Sequence, residues 1–486
     1  MTSRLGPNAA LVGLTLGGTL VAAGIAMALC ALVGVMDERA ALAFAVPAAV
    51  AVLGGVVLVR ASTAARHHGL AVRPATGLLA VTLAWVVASA AGAVPLLAAG
   101  TFSSPVDAFF EGASGFTTTG ATLIGEVEAQ PDSVLLWRSF MQWLGGIGIV
   151  VLVVAIAPVS GPGVQRAFYA ETSGITAERL TPRIIDTAKI IAAIYLALSG
   201  AAVVAYTAAG MGAFDALNHA MTTISTAGFS TKTASIAAFD SLAIELVAIM
   251  FMIVGGVNFA FYWRAIRGRP LLPQGAEVAA YVAILLVGIA VLTLSVELAG
   301  EASLREAAFS VTSIVTTTGY TTADFDTWNQ FARIAFLVLM FSGACAGSTA
   351  GGMKVIRSVL LAKSARQELD RQIHPRVVRV LRFGGHNYSE DVRRAVLGFF
   401  LVYVIVIVTG TLAMAATEVD PLTAISAATS SLNLIGPGLG EVGAHDNWEA
   451  MPGFGRVVAS FLMIAGRLEV FTVVALLAAI FRLRRG

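Results

Sequence analysis

The sequence predicts an all-α integral membrane fold of about ten transmembrane helices and four short re-entrant helices, set out as four pseudo-fourfold repeats. Three observations carry that prediction. The 486 residues are 57% hydrophobic and only 12% charged, with a mean hydropathy of +0.83, whereas an average soluble domain carries roughly 25% charged residues. Apolar stretches of about 20 residues, the length that crosses a bilayer as a helix, recur along the chain. A hydroxyl-rich run ending in glycine, at 114–122, returns at 224–230 and 315–321 and, in degenerate form, at 432–438.

In chain order, candidate spans lie near 10–35, 41–59, 76–99, 134–158, 188–209, 241–263, 278–299, 332–356, 395–416 and 456–481. The first apolar run is too long for a signal-peptide core and has no clear cleavage site, so it reads as a retained helix. Basic residues cluster in alternate connections: Arg60, Arg66 and Arg73; Arg166, Arg179 and Arg183; Arg264, Arg267 and Arg269; the stretch 357–394; and Arg482, Arg484 and Arg485. The opposite connections are acidic, with Glu126, Glu128, Asp132, Asp240, Glu301, Asp324, Asp326, Glu418, Glu441, Asp446 and Glu449. Basic connections face the cytoplasm, which places both termini there and every hydroxyl-glycine run on the outer side. The net charge of +2 carries little, because sign varies from loop to loop.

The repeat is tested by register. Asp107, Asp215 and Glu306 stand at one spacing before Gly120, Gly228 and Gly319. An acid followed by a mostly apolar decade reads as a short helix with a favourable charge at its positive end. Ser104-Pro105 and Asp420-Pro421 add cap-then-proline starts for the first and fourth copies. Helices this short are re-entrant, tolerated at membrane depth where they are buried or line water. The chain then divides into two N-terminal helices outside the repeat (1–75), repeat 1 (76–160), repeat 2 (188–265), repeat 3 (278–360), a cytoplasmic loop (361–394) and repeat 4 (395–486).

A cation moving through a narrow dry passage must have its hydration shell replaced, and rings of backbone carbonyls do this. Glycine reaches positive φ cheaply, neighbouring hydroxyls add oxygens, and four helix C-termini aimed at one axis favour a cation. The candidate filter, around one central pore, is Thr117, Thr118, Thr119 and Gly120; Ser225, Thr226, Ala227 and Gly228; Thr316, Thr317, Thr318 and Gly319; and Asn433, Leu434, Ile435 and Gly436. A single such run reads as an ordinary interhelical loop; four in one frame argue against that. The fourth strand departs most, with Asn433-Leu434-Ile435 in place of hydroxyls.

The run 342–354 puts Gly343, Gly347, Ser348, Thr349, Gly351 and Gly352 into a predicted span and should break it, forming a loop below the filter that ends at Lys354. An intramembrane cation is a functional suspect: Lys354 facing the conduction path would repel a cation until the loop moves, and the alternative is that it snorkels to the cytoplasmic edge. Arg467, with Glu469 in the last span, either pairs structurally or contacts this loop. The run is not a phosphate-binding loop, because Met353 separates Gly352 from Lys354 and Val355 follows. Lys232, just after the second filter run, either tunes ion access or is a solvated surface lysine. Six histidines and two cysteines (Cys30, Cys345) show no ligand spacing, so no metal centre or disulfide framework is indicated.

Phe109-Phe110-Glu111 with 114–122, Trp143-Leu144-Gly145-Gly146-Ile147-Gly148, Leu180-Thr181-Pro182-Arg183, 342–357, Gly436-Pro437-Gly438-Leu439-Gly440 and Gly466-Arg467-Leu468-Glu469 together resemble the Trk-type potassium uptake family. That family lies within the wider Trk, Ktr and HKT superfamily of cation transporters. The resemblance implies a pore subunit with one filter strand per repeat, keyed on Gly120, Gly228, Gly319 and Gly436. It implies potassium as the transported ion bound at the filter residues, since relatives with serine at the first glycine tend toward sodium. It also implies a gating loop in the third repeat, where Ala344 replaces a usual glycine.

The family further implies a homodimer in a bacterial cytoplasmic (inner) membrane. A cytosolic ring of TrkA-like regulatory subunits binding NAD(H) or ATP/ADP would dock on the basic loop. No nucleotide fold or organic cofactor is expected in this chain, and membrane lipid is its surroundings. Nucleic-acid binding is disfavoured, because the arginines adjoin spans without interleaved aromatics. Alternatives are K⁺/H⁺ or K⁺/Na⁺ symport, for which no buried carboxylate relay is legible, and a polytopic membrane enzyme, for which no catalytic cluster is.

Overall fold

The structure is a computed structural model that describes residues 7–36, 38–64, 74–156, 184–271, 274–374 and 380–470. It begins with a hairpin of α1 (Pro7–Val33) and α2 (Glu38–Ala64). Gly17 and Gly55 let the two backbones touch: a Cβ on either would lie 2.7 Å from the other's carbonyl oxygen. This hairpin packs against the next helix, α3 (Pro74–Ala98), through α1.

Four groups of helices follow, each with a short helix after a long one, and are numbered as the repeats that the sequence predicts. Repeat 1 is α3, a short α4 (Pro105–Thr117) and α5 (Asp132–Ile156). Repeat 2 is α6 (Ile184–Ala208), a short α7 (Ala213–Ile224), then α8 (Leu242–Gly255) and α9 (Phe259–Ile266). Repeat 3 is α10 (Gln274–Ala299), a short α11 (Leu304–Val315), α12 (Gln330–Leu339) and, after a long loop, α13 (Val355–Ile373). Repeat 4 is α14 (Glu390–Ala415), a short α15 (Pro421–Asn433) and α16 (Gly453–Arg467).

Three of the four short helices start at side-chain caps, whereas α7 starts at Gly212 without one. Ser104 accepts from the Asp107 amide with Pro105 following, Ser303 and Glu306 form a reciprocal capping box, and Asp420 accepts from the amides of Leu422 and Thr423. Each such cap stabilises its helix by about 1 kcal/mol. Behind the first turn these helices are buried almost throughout. Their interior position is possible because the outer helices turn Leu32, Val50, Leu286, Leu294, Leu401 and Leu412 outward, the expected arrangement where hydrocarbon is the solvent.

Among the described residues six helices are long and apolar enough to cross a membrane, seven if α8 and α9 count as one broken span. That pair is bent by 90°, where hydropathy predicts one continuous span at 241–263. The bend has a local cause: the Asn258 side chain caps α9 by accepting from the Ala260 amide at 2.8 Å, and Gly256 passes too close to the Tyr281 hydroxyl for a side chain. The predicted span 332–356 is broken as its glycines require, with α12 ending at Leu339 and helix resuming at Val355. The spans predicted at 134–158 and 456–481 fall on α5 and α16 and extend beyond the described residues. The loop 361–394 is mostly ordered as the rest of α13 and a two-stranded hairpin, β1 (Leu381–Phe383) with β2 (His386–Tyr388), turned by Gly384-Gly385. The connection 160–183, with Arg166, Arg179 and Arg183, lies outside the described residues.

Candidate functional site: a ring of four glycine strands

Each short helix runs at its C-terminus into one of the four hydroxyl-glycine runs, and all four runs take one backbone form. Gly120, Gly228, Gly319 and Gly436 have φ of +86°, +79°, +82° and +100°. Two residues before each stands a second left-handed residue: Thr118 at +63°, Thr226 at +50°, Thr317 at +57° and Leu434 at +60°. The degenerate fourth strand therefore keeps the geometry after losing the hydroxyls. For the three threonines and the leucine this conformation costs about 1–3 kcal/mol each, offset by the packing that surrounds it.

The strands close on one another in chain order. A Cβ on Gly120 would lie 2.2 Å from the Ala227 carbonyl oxygen, one on Gly228 2.0 Å from that of Thr318, one on Gly319 1.9 Å from that of Ile435, and one on Gly436 2.7 Å from that of Thr119. Each glycine thus abuts the carbonyl just before the next glycine, and the fourth returns to the first. No side chain fits at any of the four joints. Thr117 and Thr119 share a hydroxyl contact of 2.8 Å, as do Thr316 and Thr318; Ser225 instead bonds back to the Met221 carbonyl, and Asn433 is held by the Tyr403 hydroxyl at 2.5 Å. Above the ring lies a cavity of about 110 Å³ that touches all four glycines and is rimmed by Lys232, His445 and Asp446. Lys232 is half-buried there, 3.9 Å from Asp215.

Residues 340–354 fold against the other end of the strands. The Gly351 amide donates to the Thr317 hydroxyl at 2.7 Å, the Thr226 hydroxyl lies 3.2 Å from that of Thr349, and a Cβ on Gly351 would lie 2.2 Å from the Asn433 carbonyl. The loop is pinned to the α8–α9 bend, its Cys345 amide donating to the Gly256 carbonyl and its Gly347 carbonyl accepting from the Phe259 amide. Gly343 and Gly352 approach so closely that a Cβ on Gly352 would lie 2.7 Å from the Gly343 Cα, and Ser348 closes a local turn on the Cys345 carbonyl. Lys354 is buried and donates to the Ala350 carbonyl within the loop, so it does not snorkel outward. Arg467 is buried and donates to the Thr349 carbonyl at 2.9 Å and the Gly145 carbonyl at 2.7 Å. Glu469 pairs with Arg357 rather than with Arg467.

Three buried groups escape a reading of spacing. Glu111 and Arg138 pair at 3.0 Å with both side chains enclosed. Gln142, one turn beyond Arg138 on α5, reaches the second strand. Glu277, on α10, accepts from the Ala346 amide of the loop at 2.7 Å. The available signal is polarity inside an apolar span, which marks a residue for attention without naming its partner. On the outer rim, burial pushes the Glu128 carboxyl up, but hydrogen bonds from the Thr233 hydroxyl and amide, with the Lys232 charge, hold it below the usual carboxylate range.

The family described as "Cation transport protein", TrkH, matches residues 50–270 and 280–482. The chain is 40% identical over 425 residues to the Trk system potassium uptake protein TrkH of Halomonas elongata, covering 86% of this chain and 88% of that protein. It is 37% identical over 414 residues to the protein of the same name from Escherichia coli K12, covering 83% and 85%. The fold is similar to the crystal structure of the potassium transporter TrkH from Vibrio parahaemolyticus, with a TM-score of 0.84, 36% identity, and coverage of 96% of this chain and 98% of that one.

Proposed function

The chain belongs to the TrkH family of cation transport proteins, and we propose that it takes up potassium across a bacterial cytoplasmic membrane through the glycine ring. It is a multi-pass membrane transport protein and not an enzyme. The observation that carries the reading is the closed circuit of four positive-φ glycines, each against the neighbouring strand's carbonyl. Such a ring puts backbone oxygens at one narrow level, where they replace the hydration shell of a dehydrated cation. Thr117 to Gly120, Ser225 to Gly228, Thr316 to Gly319 and Asn433 to Gly436 form the filter, and the C-terminal ends of the four short helices lower the energy of positive charge there.

The loop 340–354 is the gate. Arg467 and Lys354 place two cations beside it, so a cation leaving the ring meets repulsion as well as an obstruction until the loop moves. The exposed face of α13 and the adjoining hairpin is where a cytosolic, nucleotide-binding TrkA-like partner would act on that loop, because α13 begins immediately after Lys354. Both termini are cytoplasmic in this reading, and the working unit is a homodimer with one pore per chain. Symport with H⁺ or Na⁺ is the competing mechanism; a reversal potential in liposomes that follows the potassium gradient alone excludes it. The direct test is expression in cells lacking potassium uptake. Growth at low potassium is expected, and its failure with the protein inserted and a suitable regulator present overturns the proposal.

A further inference from the structure

The four joints of the ring are not held alike. At the joint between the first and second strands, the carboxamide of Gln142 spans Gly228: its Nε2 donates to the Ala227 carbonyl at 2.6 Å and its Oε1 accepts from the Phe229 amide at 2.9 Å. The side chain is fully buried. Only one orientation of an amide satisfies both a carbonyl and an N–H, so the pair of bonds fixes Gln142 and the strand together. One turn earlier on α5, Arg138 donates to the Ser230 carbonyl at 3.0 Å and to the Thr122 hydroxyl at 3.1 Å, and its guanidinium stacks 4.1 Å from the Phe229 ring. Glu111 completes the brace by accepting from Arg138, from the Thr122 hydroxyl and from the Leu123 amide. Among the described residues, the carbonyls of Thr318, Ile435 and Thr119 at the other three joints receive no side-chain hydrogen bond, although Trp448 Nε1 donates to the carbonyl of Gly436 itself at 3.1 Å.

We propose that Gln142 is a specificity-determining positioning residue, which sets the width of the ring by holding the Ala227 carbonyl at the first joint, with Arg138 and Glu111 bracing the strand ends beyond it. This rests on the reading of the ring as a potassium filter. A filter distinguishes cations by where its oxygens stand and how firmly they are held there. An Ala227 carbonyl released from Gln142 is free to close on a smaller ion. The ring then keeps its path but loses part of its preference.

The test is the Na⁺ to K⁺ permeability ratio, from reversal potentials of the purified full-length protein in liposomes, together with Rb⁺ flux. Gln142→Leu removes both bonds and should raise relative Na⁺ permeability by about tenfold, the equivalent of one lost buried hydrogen bond, while Rb⁺ flux persists. Gln142→Glu has the same shape and supplies a readout that a merely structural role does not move. Its carboxylate cannot donate to Ala227, whereas its protonated form both donates O–H there and accepts from Phe229. Selectivity in that variant should therefore improve on acidification, while the wild type stays constant, and this holds even if Gln142→Leu fails to fold. Wild-type ratios in Gln142→Leu, or a Gln142→Glu ratio that does not change with pH, would overturn the inference. A wild-type protein that itself does not prefer K⁺ over Na⁺ overturns the filter reading instead.

Discussion

Arg467 donates to the Thr349 carbonyl at 2.9 Å and, from the same guanidinium, to the Gly145 carbonyl at 2.7 Å. One buried side chain therefore ties the loop under the ring to the outer helix of repeat 1, from a position on α16 in repeat 4. A hydrogen bond to a charged group is worth about 1.5–3 kcal/mol, so losing one shifts a closed-to-open balance by about tenfold or more. Arg467→Ala should raise Rb⁺ flux in liposomes without any regulator, and Lys354→Ala should do the same by removing charge beside the path. Unchanged flux and open probability in both variants would remove the loop from the role of gate.

Gly120 is the sharpest single position in the ring. Its φ of +86° disfavours any side chain, and a Cβ would sit 2.2 Å from the Ala227 carbonyl, a backbone atom that cannot swing aside. Gly120→Ser should therefore displace the second strand and admit Na⁺, lowering the K⁺ preference by about tenfold for a carbonyl moved from its position. Competition of Na⁺ against Rb⁺ uptake measures this. Potassium selectivity that survives the substitution unchanged would count against the first strand as part of the filter.

The short helices were legible because their starts are written in local chemistry. Ser104, the Ser303–Glu306 box and Asp420 each cap a helix within a turn of their own position, while the carboxylates of Asp107 and Asp215 reach further, to Arg456 and to Thr231 and Lys232. The break in repeat 3 was legible for the same reason, since the glycines of 342–354 forbid a continuous helix. The bend at 256–258 was hidden: Gly256, Val257 and Asn258 sit in an apolar run that hydropathy scores as one span, and the bend is held from outside by Cys345 and Gly347. The brace of Glu111, Arg138 and Gln142 was hidden more deeply. Its partners lie in strands up to 92 residues away, and they meet only once the ring has closed. Leu434 shows the converse, keeping φ of +60° where its composition gave the weakest signal of the four.

The Glu111–Arg138 pair makes a stability prediction separate from transport. Both side chains are buried, at 0% and 2% exposure, so removing one charge strands the other away from water, at a cost of about 3–5 kcal/mol. Arg138→Leu should lower the detergent-solubilised protein's thermal midpoint by several degrees. The double variant Glu111→Leu/Arg138→Leu should recover part of that loss, because no unpaired charge remains, but not all of it, because the Leu123 amide and the Ser230 carbonyl lose their partners. A double variant no better than Arg138→Leu would mean the burial of charge is not what makes the single change costly.

Glu128 and Thr233 join the outer rims of the first two strands, and their contact carries a pH dependence of definite sign. The Thr233 amide donates to Glu128 at 3.0 Å, and the Thr233 hydroxyl in turn accepts from the Val127 amide at 2.9 Å. The folded protein holds this carboxyl below its ordinary range, so the ionised form is favoured by folding. The contribution is complete above the unfolded-state pKa and is lost as the pH falls through the lower, folded-state value. Hydrogen exchange at the Thr233 amide should therefore stay slow into mildly acidic solution and accelerate only below the usual carboxylate range. Glu128→Gln keeps a carbonyl acceptor and cannot titrate, so the acid-dependent step should vanish from that variant. An identical step in Glu128→Gln would assign the acid response to another group. High salt should weaken the contribution of Lys232 while leaving the two Thr233 hydrogen bonds in place, which separates the charge from the geometry.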